Sequence, residues 1–215
     1  MKKHIYFLRH GETLGNRRLV HQGPDEPLTQ KGRKQALHAA LILRDKGIDT
    51  VICSTFARAR ETAAIIAEEL GLPISADESL VEFRRPYYLY DRGHYSFGSL
   101  AYLWRLFIHR ENPEWNDDGA ENMFSVRNRV LDAKRMLASL EGERIVAVSH
   151  AIFMDMFLEL ACREKKLTFF EYFGGLINLK KTPNTGIIHL LYDENAPQGI
   201  CPWQLIEFIN PKERG

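Results

Sequence analysis

The chain has 215 residues, 45% hydrophobic and 27% charged, with a formal net charge of +1, enough to bury a core and within the size of a single α/β domain. A pI near 7.8 excludes a general attraction to nucleic acid or to an acidic membrane, so any preference for anions has to come from local residues. Cys53, Cys162 and Cys201 are odd in number, widely spaced and without a C-x-x-C pair, a usage that suits a reducing compartment and argues against a disulfide framework or a structural zinc site.

In chain order, His4 to Leu8 is a short, continuously apolar run that reads as a buried parallel strand and leads directly into Arg9-His10-Gly11-Glu12. The run is too short for a secretory signal and Arg9 cuts it off, so a cytoplasmic location is expected. Thr29, after Pro27-Leu28, is an N-cap for a helix to Lys46 with Gly47 as its stop. Thr50 to Cys53 is a second strand, followed by Ser54 and a helix from Ala57 to Leu70 that ends at Gly71. From Phe83 to Trp115 aromatic side chains crowd together with Arg84, Arg85, Arg92, Arg105 and Arg110. This segment, extended over 83–120, reads as an insertion over the sheet tips. It can serve as a lid or specificity wall, as a small satellite core with a basic rim, or as an oligomer contact.

A helix over Glu121 to Leu140 and a third strand over Arg144 to Val148 follow, the strand running into Ser149-His150 and a helix from Ala151 to Ala161. Asp155 and Glu159 interrupt that last apolar stretch, which argues against a membrane span. Gly186 to Tyr192 and Trp203 to Ile209 read as two strands, a hairpin or a sheet edge, joined by a loop rich in Asn, Pro and Gly. Alternation of strands and helices implies a mostly parallel sheet covered on both faces.

The strand ends carry the chemistry. Open α/β sheets bind ligands at the carboxyl ends of their strands, and there this chain has His10, Arg9, Arg58 and His150, with Glu82 in mid-chain. Phosphoryl transfer needs a nucleophile, cations on the equatorial oxygens and a proton donor for the leaving oxygen. His10 can attack phosphorus, Arg9 and Arg58 offer planar donor forks, His150 adds a donor beside a helix N-terminus, and Glu82 can protonate the leaving group. Asn16 is a candidate neutral donor. A zinc or iron site is the competing reading of two histidines and a carboxylate. The absence of H-x-H or H-E-x-x-H spacing and the two guanidinium charges argue against it. His4, His38, His109 and His189 lack such company and read as surface or hydrogen-bonded histidines, with His21 and His94 the candidates for more.

The ordered set Arg9-His10-Gly11-Glu12-Thr13 with Asn16, Gln22-Gly23, Pro27-Leu28-Thr29, Ser54 to Ala63, Glu82, Gly119-Ala120-Glu121 with Arg129, and Ser149-His150 resembles the histidine phosphatase superfamily, in the branch shared with cofactor-dependent phosphoglycerate mutase. The resemblance implies a three-layer α/β/α sandwich, a phosphohistidine intermediate and no metal or other cofactor. It makes His10 the nucleophile, Arg9, Arg58 and His150 the phosphate pocket and Glu82 the proton donor, with Asn16, Gln22, Gly23 and Ala151 at substrate-binding positions. Ala151 stands where family members often have glycine, Gly15 where mutases usually carry tryptophan, and the spacing from Gly23 to Pro27 is about one residue short.

These readings give an expected function: a metal-independent phosphomonoester hydrolase acting through His10 on a small phosphorylated substrate, without nucleic acid or membrane partners and with no oligomeric state fixed. Two alternatives stay open, a phosphoglycerate mutase-type phosphotransferase and a module that binds phosphorylated partners.

Overall fold

Successive side chains of a strand point to opposite faces, and β1 (Lys2–Arg9) uses both: Ile5 and Phe7 enter one hydrophobic core, Tyr6 and Leu8 another. In the computed structural model, which describes residues 1–162 and 182–211, this strand lies inside a six-stranded sheet. Its other strands are β2 (Thr50–Ser54), β3 (Ile74–Asp77), β4 (Arg144–Ser149), β5 (Ile187–Asp193) and β6 (Trp203–Ile209), in the order β3-β2-β4-β1-β5-β6. The first four strands in sequence are parallel, whereas β5 runs antiparallel to β1 and β6 antiparallel to β5. The expected C-terminal hairpin is therefore the sheet's antiparallel edge.

Helices α2 (Gln30–Arg44) and α3 (Ala57–Leu70) bury Ala39, Ala40, Leu43, Ala63 and Ile66 against Tyr6 and Leu8. On the other face α5 (Met123–Ser139) and α6 (Ala151–Ala161) bury Val126, Val130, Phe153 and Phe157 against Ile5 and Phe7. The result is the three-layer α/β/α sandwich. Thr29 caps α2 by accepting from the Gly32 amide at 3.0 Å, and Gly71 ends α3 with a left-handed φ of 66°, as their residue types require. No helix among the described residues is long and apolar enough to cross a membrane.

Two short helices are additional to the sequence reading: α1 (Leu14–Arg18) and α4 (Phe97–Ile108). α4 lies in the aromatic segment and is apolar on more than one side, which hides its period: Tyr102 and Leu106 are buried while Phe97, Leu100, Trp104 and Ile108 are exposed. The segment divides between tasks. Leu89, Tyr102 and Leu106 join the core beneath α5 and α6, and Tyr95 and Phe97 stand 82% and 87% exposed.

The cysteine reading is corrected. Cys162, at the end of α6, and Cys201, just before β6, form a disulfide with Cα atoms 5.2 Å apart. A separation of 39 residues in sequence conceals a spatial neighbourhood made by packing, because α6 lies on the hairpin edge with Phe157 against Trp203 at 5.2 Å between ring centroids. Cysteine usage consequently gives no support for a reducing compartment.

The loop after β1 is fixed to the start of α2 by backbone contact. A Cβ on Gly11 would lie 2.5 Å from the Gly32 carbonyl oxygen, and one on Gly32 would lie 2.2 Å from the Glu12 carbonyl oxygen. The Thr29 amide and hydroxyl donate to that same Glu12 carbonyl at 2.9 and 3.2 Å. Gly32→Ala should lower unfolding free energy by about 1–3 kcal/mol through overpacking, read as a lower urea midpoint at unchanged m.

Candidate active site

Parallel order brings the carboxyl ends of β1, β2 and β4 together, and with them Arg9-His10, Ser54 and Ser149-His150. His10 is 3% exposed. Its Nδ1 lies 2.7 Å from the Gly11 carbonyl oxygen, an atom that only accepts, so Nδ1 carries the proton and the lone pair is on Nε2. Burial, then the charges of Arg58 and Arg9, hold the His10 pKa well below the ordinary imidazole value.

Arg9 donates to the Thr182 carbonyl at 2.7 Å and Arg58 to the Gly23 carbonyl at 2.8 Å. Burial lowers both guanidinium pKa values, that of Arg58 to about 10. The Nε atoms of Arg9 and Arg58 and the Nδ1 of His150 are buried without a partner among the described residues. Buried polar atoms are rarely left so, and the two guanidinium Nε–H groups are donors suited to an anion.

Glu82 sits at the amino end of α6, where its Oε1 accepts from the Phe153 amide at 3.0 Å and the Phe83 amide at 2.9 Å, and Oε2 from the Ile152 amide at 3.4 Å. A helix N-terminus offers such free N–H groups. Behind it Arg129 forms a buried bidentate pair with Glu121, at 2.7 and 2.6 Å, and donates to the Val81 carbonyl at 2.7 Å. The Arg84 amide closes the frame on Glu121 at 2.9 Å.

A cavity of about 260 Å³ opens over these groups. His10, Arg9, Arg58, Glu82, Asn16, Gln22 and Ala151 line it. Gly23 does not; its carbonyl holds Arg58 instead. His150 is fully buried beside His10, ring centroids 5.1 Å apart, with Nε2 at 2.8 Å from the Ser54 hydroxyl. Gln22 packs against the α carbon of Gly15, where a Cβ would approach its Cγ to 2.3 Å. That contact explains the glycine in place of a larger residue. Of the insertion, Phe83, Arg84, Arg85, Tyr90 and His94 reach the cavity, whereas the other aromatics of that segment do not line it. No group of three or more His, Cys, Asp or Glu side chains able to hold a metal occurs among the described residues.

Sequence reasoning did not single out Asn184. Its amide donates to the His10 carbonyl at 3.2 Å and to Asn16 Oδ1 at 3.0 Å, and it lines the cavity. β5 is antiparallel, so the loop at its amino end meets the carboxyl end of β1, where a rule that looks only after strands does not look. The turn-rich run Thr182-Pro183-Asn184-Thr185-Gly186 just before a strand was the available signal.

Residues 5–199 match the family model of the histidine phosphatase superfamily, branch 1. The chain belongs to that superfamily. A relative from Escherichia fergusonii named "Probable phosphoglycerate mutase GpmB" is 33% identical over 150 residues, 69% of each chain. Among solved structures with the superfamily fold, the α-ribazole phosphatase from Shigella flexneri superposes with a TM-score of 0.74 at 18% identity, covering 97% of this chain and 96% of that one. A phosphoserine phosphatase mutant from Entamoeba histolytica in complex with phosphoserine gives 0.73 at 21% identity, with 98% of each chain covered. Membership makes the chain an enzyme of the phosphatase or mutase-like kind, and phosphohistidine chemistry is general to the superfamily.

The buried histidines couple the site to stability. An unfolded histidine takes up a proton below about pH 6.5, while folded His10 and His150 resist it because burial and the neighbouring arginines disfavour the imidazolium. The unfolded state then binds more protons. Stability should therefore fall as pH drops through about 6.5, by about 1.4 kcal/mol per pH unit for each such histidine. Urea midpoints at pH 7 and pH 5 should diverge, and His10→Gln should reduce the divergence.

Proposed function

We propose that this chain is a phosphomonoester hydrolase that works without a metal through a phosphohistidine on His10. The observation that carries the reading is the Nδ1–H bond to the Gly11 carbonyl, which leaves a neutral nucleophilic Nε2 among buried guanidinium groups. In the first step that lone pair attacks phosphorus, the ester P–O bond breaks, and Glu82 gives its proton to the leaving oxygen. In the second, Glu82 takes a proton from water, the resulting oxygen attacks phosphorus, and the P–N bond breaks to return its electrons to Nε2. Arg9 and Arg58 neutralise charge on the equatorial oxygens. Two guanidinium charges on the cavity wall would repel a dication, which supports metal-independent chemistry. The named activities of the solved relatives, phosphatases of α-ribazole and phosphoserine esters, favour a small phosphorylated substrate here as well. The residues of 83–94 that reach the cavity act as its specificity wall.

Transfer to an acceptor alcohol is the second reading, favoured by the identity to GpmB. Inorganic phosphate and phosphorylated acceptor, both measured over a panel of monoesters with excess EDTA, separate the two. Hydrolysis predicts release without added acceptor, abolished in His10→Ala. A new phosphate ester formed on an added alcohol, without inorganic phosphate, supports transfer, and neither product from any monoester overturns both. Glu82→Gln should slow alkyl phosphates by about 10²-fold or more, with much less effect on p-nitrophenyl phosphate, whose leaving group needs no proton. Arg58→Ala should lower kcat far more than it raises KM, because its contacts strengthen as charge moves onto the oxygens; equal changes would restrict it to holding substrate.

A further inference from the structure

Two imidazoles on the cavity wall have no part in that chemistry. His21, in the loop after α1, and His94, in the segment before α4, face each other with their Nδ1 atoms 3.1 Å apart. The backbone around them is cross-linked: the His21 amide donates to the Arg92 carbonyl at 2.9 Å, the Asp91 amide to the His21 carbonyl at 2.9 Å, and the His94 amide to the Leu19 carbonyl at 3.0 Å. Facing nitrogens need one proton between them, so one ring donates and the other accepts.

Ser99 decides which. Its hydroxyl oxygen lies 2.9 Å from the Gly93 carbonyl oxygen, which can only accept, so the single Ser99 proton is committed there. Ser99 Oγ must then accept from the Ser96 hydroxyl and from His21 Nε2–H, each at 2.9 Å. With its proton on Nε2, His21 accepts at Nδ1. His94 donates from Nδ1 and carries its lone pair on Nε2. Burial, together with the charge of Arg85, keeps both rings neutral, lowering His21 to about 3 and His94 to about 4.

His94 shares the cavity wall with Arg84 and Arg85, whose guanidinium groups are donors only. The one ring nitrogen of His94 not bonded to His21, Nε2, is thus an acceptor on a residue that lines the cavity. A carboxylate or phosphate oxygen would meet it lone pair to lone pair, while a hydroxyl would donate to it. Resting on the hydrolase reading above, we propose that His94 Nε2 selects phosphate monoesters whose alcohol part carries a free hydroxyl, over those with a bare alkyl group in its place.

The test compares α-glycerophosphate with n-propyl phosphate, which share a carbon chain and differ in hydroxyls, under excess EDTA. The wild type should prefer α-glycerophosphate in kcat/KM by about ten-fold, mainly through KM, and His94→Phe should bring the ratio close to unity. A ratio cancels any loss of folded enzyme in the variant. Preference that survives His94→Phe overturns the inference. If the wild type turns over p-nitrophenyl phosphate but does not favour α-glycerophosphate, the inference falls and the hydrolase reading stands. No release from any of these esters overturns both. Independently of turnover, ¹⁵N-edited NMR of the imidazoles should find the His94 proton on Nδ1 and the His21 proton on Nε2; the opposite assignment also overturns it.

Discussion

Two guanidinium groups withdrawn from bulk water into one cavity wall govern the arrangement of the whole site. Arg9 and Arg58 line one cavity beside a buried His10, and burying a cation is costly unless it is paired and hydrogen-bonded. Two backbone carbonyls, of Thr182 and Gly23, take part of each charge. Glu82 opposes the effect of burial on both, so its position has to be fixed. The amino end of α6 binds its carboxyl group, and the buried pair of Arg129 with Glu121 clamps the chain that delivers it. Pairing of that kind is worth little as stability beyond an apolar alternative; its use here is to hold a strand of chain at one place beside His10.

The glycines complete the same task from the other side. A nucleophile on a loop needs a loop that does not move, and the close approach of Gly11 to Gly32 presses the backbone after β1 onto the first turn of α2. Thr29 then serves twice, capping the helix and bonding to Glu12. The conjunction of Gly11, Glu12 and Pro27-Leu28-Thr29 in the sequence is the trace of that contact.

Features that depend on local rules were legible from residue order. Short apolar runs bounded by turns placed β1, β2 and β4, and caps at Thr29 and Gly71 placed the helices between them. His10, Arg9, Arg58 and Glu82 converge because parallel strands present their ends together. What depends on distant packing was hidden. α4 lost its period because both of its faces are apolar, the disulfide joins residues that only the seating of α6 against β6 brings together, and Asn184 enters from a strand that runs the other way. Gln22 reads in the sequence as a substrate-binding position, and residue order gives no sign that it fills the space above Gly15.

The reversed direction of β5 also bears on how the molecule is made. β1 is hydrogen-bonded to β4 on one side and to β5 on the other, so the strand that carries Arg9 is half-paired until Ile187–Asp193 has been synthesised. Thr182 and Asn184, which hold Arg9 and the His10 carbonyl, arrive with β5. Arg9, His10, Arg58, Glu82 and His150 all precede β5 in the chain, so the cage around Arg9 and His10 is incomplete until that strand is in place. Such long-range closure belongs to slow, non-local folding, and it ties the onset of chemistry to the arrival of β5.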